Sequence, residues 1–399
     1  MHVLIAAEYH HADLKGGAPR VVADCAHELV ARGHEVSVVC ARVEGRPEVE
    51  MVSGVRLLRY TEARALSPLR RRYIAISKLL KKEFLRPPDL IWGHAPLQFL
   101  AACRTFPESA RAYVVHSPYP LEVLALHDRL TVSDRLKASA AKYFEGQCLT
   151  TAKRVQVLSE FTKREILRIH GGRFDQKMFV TPGWCDTTAV QPVRDRREVR
   201  QRLGWPLDVP VFFTLRRLVP RMGIADLIIA CAGLAEAGFD FHLYVGGEGH
   251  LRSALQHQIV DLKLQSTVSM LGHLTEEQLR EAYSACDAFV IPTRALECFG
   301  LIAVEALAAG VPVLSTDTGA LPEIVGEFEP AWVSESGSVS LQKTLREFLE
   351  GRLPRHSVAE QRAYVERKYS RQVALRRFCD VALATLDGSR NSEAEFIVR

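Results

Sequence analysis

The sequence predicts an α/β protein made of two Rossmann-like, doubly wound parallel-sheet domains that face one another across a cleft. Three observations carry this. The chain has 399 residues, too many for one ordinary core, so two domains of about 150–200 residues are expected. Short apolar runs alternate with helical stretches, the pattern of parallel strands joined by crossover helices. The alternation runs twice, interrupted by a polar, proline-bearing stretch, TTAVQPVRDRREVRQRLGWPLDVP. The expected domains are 1–190 and 191–357, followed by a helix over 358–386 and a frayed tail over 387–399.

The first half opens as strand, glycine loop, helix, strand: HVLIAAEY, LKGGAPR, VVADCAHELVARGH, EVSVVCA. Val21, Val22, Cys25, Ala26, Leu29 and Val30 recur at helical spacing, and Gly33 is the residue that ends such a helix. Further strands are expected at VRLLRY, DLIWGH, AYVVHS and RVQVLS. The second half restarts with VFFTLRR, a helix over about 224–237, FHLYVGGEG, VSMLGH, DAFVIPT and VPVLSTD, with helices between. In such sheets ligands sit where the carboxyl ends of the strands open into the cleft.

Composition narrows the function classes. A formal charge of +5 is small for this length and gives no reason to expect nucleic acid. Nine cysteines, odd in number and without a CxxC pair, argue against a disulfide framework or zinc knuckle and for a reducing compartment. No signal peptide or membrane-spanning run is recognisable, so a cytoplasmic protein is expected, with peripheral membrane association left open.

The richest segment is RALECFGLIAVEALAAGVPVL, Arg294 to Leu314. It reads as a strand-to-helix loop followed by a helix that ends at Gly310. The backbone NH groups of Phe299, Gly300 and Leu301 would be the unpaired donors of a helix amino terminus, suited to a diphosphate. Gly300 removes a side chain where that ligand must come close. Glu297 and Glu305 flank this cradle, and an ionised carboxylate accepts hydrogen bonds from hydroxyls. The plainer alternative is that Glu297 caps the helix and Glu305 pairs with an arginine.

This segment resembles the Glu-x7-Glu signature of glycosyltransferase family 4: Glu297-Cys298-Phe299-Gly300-Leu301 to Glu305-Ala306, then Ala308, Gly310, Pro312 and Val313. Asp317-Thr318-Gly319-Ala320-Leu321-Pro322-Glu323 resembles the stretch that follows it in the family, with Ala320 in place of a second glycine. The Gly16-Gly17 loop and the helix ending in Arg32-Gly33-His34 resemble the family's amino-terminal motif. DLIWGH and VVHSPYP resemble its two histidine-bearing strand ends, and VTPGWCDTTAVQP its central stretch, with Gly183-Trp184 where Asn-Gly is usual.

The resemblance implies a GT-B fold and transfer of a sugar from a nucleotide-diphosphate donor, with retention of configuration and no obligate metal. The donor would be a UDP- or GDP-sugar, with no other cofactor. It further implies that the last helix crosses back to the first domain. Glu297 would hold donor-sugar hydroxyls, Glu305 the ribose, and His116 would face the donor sugar. Gly16 and Gly17 would approach the diphosphate and acceptor, and Arg217 would bind the diphosphate. The family's partner lysine is replaced by Met222, so Arg221 or Arg216 is expected to supply that charge. Gly246-Gly247-Glu248-Gly249 is a lesser phosphate loop, and base choice is expected to depend on groups near Met270 to Leu274.

SPLRRRYIAISKLLKKEFLR, residues 67–86, carries seven Lys or Arg against one Glu. With Tyr73, Ile76, Leu80 and Phe84 as an apolar stripe, it reads either as an interfacial helix meeting anionic lipid and a lipid-linked glycan acceptor, or as a domain helix with a solvated basic face. Rival activities are a GT-B sugar-nucleotide epimerase and a donor-binding subunit without turnover, for which Met222 is the clue. A dehydrogenase is a distant alternative, since no GxGxxG follows either first strand.

Overall fold

In the computed structural model, described for residues 1–14, 16–61, 68–125, 130–192 and 195–386, the chain forms two compact units. The first comprises Met1–Pro120, Leu136–Pro182 and Ala374–Arg399; the second comprises Leu121–Arg135 and Gly183–Val373. The chain first passes between them at Pro120–Leu121, returns at Arg135–Leu136, and crosses again at Pro182–Gly183, ahead of the residue 190 expected from the polar stretch. The tail 387–399 and Ser67, the first residue of the basic stretch, lie outside the described residues.

The first unit is organised around eight strands: β1 (His2–Ala6), β2 (Glu35–Ala41), β3 (Val49–Val52), β4 (Val55–Tyr60), β5 (Leu90–Gly93), β6 (Ala110–Val115), β7 (Arg154–Val157) and β8 (Met178–Val180). Their order is β3-β4-β2-β1-β5-β6-β7-β8, and every pair is parallel except β3–β4. β3 and β8 are short additions at the two edges that the sequence pattern did not signal. β1 is wholly buried from Val3 to Ala6, as expected of a central strand covered on both faces.

The helices of the amino-terminal half of the chain are α1 (Gly17–Ala31), α2 (Pro68–Glu83), α3 (Pro96–Thr105), α4 (Tyr119–Leu124), α5 (Val132–Thr151) and α6 (Glu160–His170), of which α4 from Leu121 and α5 as far as Arg135 belong to the second unit. α2 is the basic helix, and its apolar stripe is not at the surface. Ile76, Leu80 and Phe84 join Leu4, Leu58, Ile91 and Phe99 in the core, with Tyr73 packed against them. The interfacial reading of 67–86 therefore loses its apolar contact. What remains outside is a solvated basic face, in which Lys82 pairs with Glu48 at 2.8 Å.

The second unit carries β9 (Val211–Leu215), β10 (His242–Gly246), β11 (Val268–Gly272), β12 (Ala288–Ile291), β13 (Val313–Thr316) and β14 (Val333–Ser334), in the all-parallel order β11-β10-β9-β12-β13-β14. Its helices are α7 (Arg196–Leu203), α8 (Ile224–Glu236), α9 (Arg252–Asp261), α10 (Glu276–Ala285), α11 (Leu301–Ala308), α12 (Ser338–Leu349) and α13 (Val358–Tyr369). In each unit the connections run one way from the first strand and then reverse. The reversal lies between β1 and β5 in the first unit and between β9 and β12 in the second. Such a switch point opens a crevice at the carboxyl ends of the two central strands.

The single helix expected over 358–386 is two. α13 starts from a capping box, in which Ser357 and Glu360 satisfy each other's backbone donors, and ends at Tyr369. Ser370 is extended because Cys185 pairs with this stretch as a strand would: its NH donates to the Tyr369 carbonyl at 2.8 Å and its carbonyl accepts from Arg371 at 3.1 Å. The chain then resumes as α14 (Arg376–Leu383), which belongs to the first unit. An intrahelical bond can be exchanged for a bridge of this kind without loss, so helical periodicity alone did not reveal the break.

Candidate active site

The switch point of the second unit brings the ends of β9 and β12 side by side. Arg216 and Arg217 leave β9; Thr293 to Gly300 leave β12 and lead into α11. Arg216 is buried, and its guanidinium donates to Thr293 Oγ1 at 2.6 Å and to Glu297 Oε2. Thr293 Oγ1 also donates to the same carboxylate oxygen at 3.3 Å. Glu297 is thus held at the mouth of the switch point by an ion pair and a hydroxyl. It does not cap α11: Gly300 is the N-cap, in the left-handed conformation at φ 84°, and no side chain accepts from the first turn.

The loop carrying Glu297 is under backbone constraint. Leu296 sits at φ 59°, unfavourable for a branched side chain, and is buried. Two contacts hold it there. Arg221 Nη1 donates to the Leu296 carbonyl at 2.8 Å, and the Ala320 NH donates to the Glu297 carbonyl at 2.8 Å. Gly319 must be glycine, because at φ 68° its Cβ would stand 2.1 Å from the Glu297 carbonyl oxygen.

Arg221 and Met222 form a short turn between β9 and α8. Met222 is buried, whereas Arg221 lies at the switch point, where its own carbonyl also accepts from the Arg294 NH at 2.8 Å. Burial, and after it the neighbouring Arg217 charge, push the Arg221 guanidinium pKa below its usual value, against the pull of Glu297 and Glu122. Arg217 is exposed. Arg216, Arg217 and Arg221 together outnumber Glu297, so the crevice is short of negative charge.

Glu305, one face of α11 further on, is buried and accepts from the Tyr283 hydroxyl at 3.5 Å. Phe299 is buried and closes over Gly183, where a Cβ would stand 2.6 Å from its ring. The departure Gly183-Trp184 thus makes room for Phe299. The Gly246–Gly249 loop is not left open for a ligand by its glycines. A Cβ on Gly247 would meet the Arg216 carbonyl at 1.9 Å and one on Gly249 the Leu218 carbonyl at 2.3 Å, so these glycines let two backbones touch.

In the first unit, the ends of β5 and β6 carry His94 and His116. Their rings meet directly, His94 Nδ1 to His116 Nε2 at 3.0 Å. One of the two nitrogens must donate and the other accept, so at least the accepting ring is neutral. Burial lowers the His116 pKa to about 4; burial, then the neighbouring His116, pushes His94 well below the ordinary imidazole value. His94 Nε2 is buried without a partner. Gly16 is the N-cap of α1 in extended backbone, and no protein atom lies within 4 Å of where a Cβ would stand on Gly17.

Two family profiles match the chain end to end: "Glycosyltransferase Family 4" over residues 15–189 and "Glycosyl transferases group 1" over residues 195–366. The chain belongs to glycosyltransferase family 4. Its relatives include the 2-deoxystreptamine glucosyltransferase of Streptomyces kanamyceticus, 28% identical over 70% of this chain and 73% of that one. Among solved structures, sucrose-phosphate synthase from Thermosynechococcus elongatus superposes with a TM-score of 0.77 at 18% identity, over 97% of this chain and 99% of that one. Anabaena HepE, solved with UDP-glucose, gives 0.74 at 18% identity over 98% and 100%. The fold is GT-B.

Set in this family, the signature residues lie on two neighbouring segments: Glu297, Phe299, Gly300, Leu301 and Glu305 on the β12–α11 segment, and Arg217 and Arg221 on the β9–α8 segment. Sequence reasoning gave one participant a different part and missed two. Arg216, expected as a possible diphosphate cation, is buried and paired with Glu297. Thr293 and Leu296 set the position of that carboxylate. The available signal was position: all three lie within five residues of the carboxyl ends of the two strands that define the switch point. His94 carried a comparable signal, at the end of the strand beside His116. Among the described residues no group of His, Cys, Asp and Glu is placed to hold a metal ion, and no helix is long and apolar enough to cross a membrane.

Proposed function

We propose that this glycosyltransferase moves a sugar, with retention of configuration and without a metal, from a UDP- or GDP-sugar to a glycan or lipid-linked acceptor in the cytoplasm. The observation that carries the reading is the charge balance of the second unit's switch point. Arg216, Arg217 and Arg221 outnumber the carboxylates Glu297 and Glu122 beside an uncapped helix amino terminus, an environment complementary to a diphosphate. As the bond to the sugar breaks, negative charge builds on that diphosphate. Fixed cations and NH donors stabilise it more in the transition state than before, which lowers the barrier.

Arg217, exposed at the crevice, and Arg221 are the two cations assigned to the diphosphate. Arg221 compensates for Met222, whose burial suits packing rather than ligand contact. Phe299, Gly300 and Leu301 contribute backbone NH groups. Glu305 takes the ribose and Glu297 the sugar hydroxyls, with Arg216 and Thr293 aiming Glu297. His116 is assigned to the donor sugar from the first unit. As a neutral ring it can accept or donate a hydrogen bond without adding charge. Nine buried thiols suit a reducing compartment.

Calorimetric titration with UDP and with GDP, on the wild type and on Glu305→Ala, tests the reading. One nucleotide should bind, and the variant should bind it at least tenfold more weakly while keeping its fold by circular dichroism. If neither nucleotide binds, the donor assignment fails. Transfer should persist in EDTA, and the anomeric configuration of the product, read by NMR, decides retention.

A further inference from the structure

α5 carries a buried carboxylate, Glu145, whose side chain is 2% exposed. Its two oxygens have different partners. Oε2 meets His170 Nε2, at the end of α6, at 2.7 Å. The His170 side chain is 5% exposed, and its ring stands edge-on to Phe174. Oε1 accepts from the backbone NH of Tyr119 at 2.8 Å. Tyr113 and Cys148, close to the same carboxylate, are held neutral by burial. All of these residues belong to the first unit.

The Tyr119 NH matters because of the sequence around it. The chain leaves β6 as His116-Ser117-Pro118-Tyr119-Pro120 and enters α4 at Tyr119. Proline has no NH, so Tyr119 carries the one backbone donor between Ser117 and Leu121. The first NH groups of a helix have no partner within it. This one is taken by a carboxylate from another helix, three residues after His116. His94 holds the His116 ring, at 3.0 Å; Glu145 holds the backbone that follows it.

A buried carboxylate is costly unless paired, and apolar side chains of similar volume often serve stability as well or better. An apolar side chain cannot, however, fix a backbone NH at a set place. We propose that Glu145 is a positioning residue for sugar transfer. Through the Tyr119 NH it sets the path from β6 into α4, and so the place of the His116 ring at the donor sugar; His170 steadies the carboxylate. This rests on the role given to His116 in the proposed function.

The test is steady-state release of UDP or GDP by the full chain from UDP-glucose, UDP-N-acetylglucosamine and GDP-mannose. With the donor that is turned over, His116→Ala and Glu145→Ala should each lower kcat about tenfold or more, with KM changed less than about threefold. Glu145→Gln keeps an oxygen that accepts from the Tyr119 NH, so its kcat should stay within about threefold of wild type. Tyr119→Pro removes the NH, fits the start of a helix and leaves the Glu145–His170 pair in place. It should match Glu145→Ala, and it decides the matter if that variant does not fold. Tyr119→Ala keeps the NH and should stay near wild type. In the His116→Ala background, Glu145→Ala should lower kcat no further, because the two act as one unit. Affinity for UDP or GDP without the sugar should be unchanged throughout.

A wild-type kcat in Glu145→Ala, equal losses in Tyr119→Ala and Tyr119→Pro, or a full further loss in the His116→Ala background would overturn the proposal while leaving His116 its role. A wild-type kcat in His116→Ala would remove that role and this proposal with it. Release from none of the three donors would defeat the donor assignment as well.

Discussion

Both units place a switch point at the carboxyl ends of their central strands, yet the two edges are electrostatic opposites. In the second unit the edge is ionic: Arg216, Arg217 and Arg221 around Glu297, on backbone held in left-handed turns at Leu296, Gly300 and Gly319. In the first unit the edge is neutral: His94 and His116 hydrogen-bond to one another, and burial holds both rings below the ordinary imidazole range. The same topology thus carries two kinds of edge. Under the proposed roles, a diphosphate needs fixed charge on a loop that cannot relax, and a sugar needs hydrogen-bonding groups that do not compete for that charge, as two buried neutral imidazoles would be.

The largest expected effect separates the edges by backbone constraint. Gly223→Ala would place a Cβ 1.7 Å from the Pro292 carbonyl oxygen at φ 71°, so the β9–α8 turn and the β12 exit could not both keep their places. A loss of about 3 kcal/mol or more is expected in urea unfolding, together with nucleotide binding. Gly17→Ala in the first unit is the counterpart. Open space surrounds that position, so stability should stay within about 0.5 kcal/mol. If both variants lose equal stability, the contrast between a constrained edge and an open one fails.

Next come the cations. Arg217→Ala and Arg221→Ala should each weaken nucleotide binding by about 1.5–3 kcal/mol, read by calorimetry. They should differ in stability. Arg217 is exposed, so its removal should leave unfolding unchanged, whereas Arg221 also braces the Leu296 carbonyl. Adding Met222→Lys to Arg221→Ala sharpens the point: the added lysine restores charge but not the brace, so rescue should be partial at best.

Much of this was legible in the residues. The alternation of strands and helices gave two parallel sheets, because buried parallel strands such as β1 and β12 are continuous apolar runs. Gly300 and the two glutamates marked the loop that leads from β12 into α11. What could not be read was partnership across the chain. Nothing near Arg216 announces that its ion pair lies 81 residues away on Glu297. The stripes of α2 and α5 look alike as periodicities; which one is buried depends on the elements packed against them, and the core chose Ile76 and Leu80 over Leu136 and Tyr143. The break at Ser370 likewise depends on Cys185, far off in sequence.

At neutral pH the smallest effects concern the neutral edge, which responds only as the pH falls. Because the folded-state pKa of His116 lies near 4 and that of His94 is also depressed, the unfolded chain takes up protons first as pH falls. Stability present above about pH 6.5 should therefore be lost as pH falls toward 4, by up to about 1.4 kcal/mol per pH unit for each ring. His10, lowered to about 4 mainly by burial, adds to the same slope. His94→Asn keeps an amide near the position of Nδ1 but cannot titrate, so it should reduce the slope by one ring and leave His116 held. His94→Ala removes the partner and admits water, so the His116 pKa should rise toward 6.5. In the alanine variant the acid limb of the transfer rate should then move up in pH with it, while in the asparagine variant it stays near 4. Coincident acid limbs in the two variants would mean that His94 does not govern the protonation of His116.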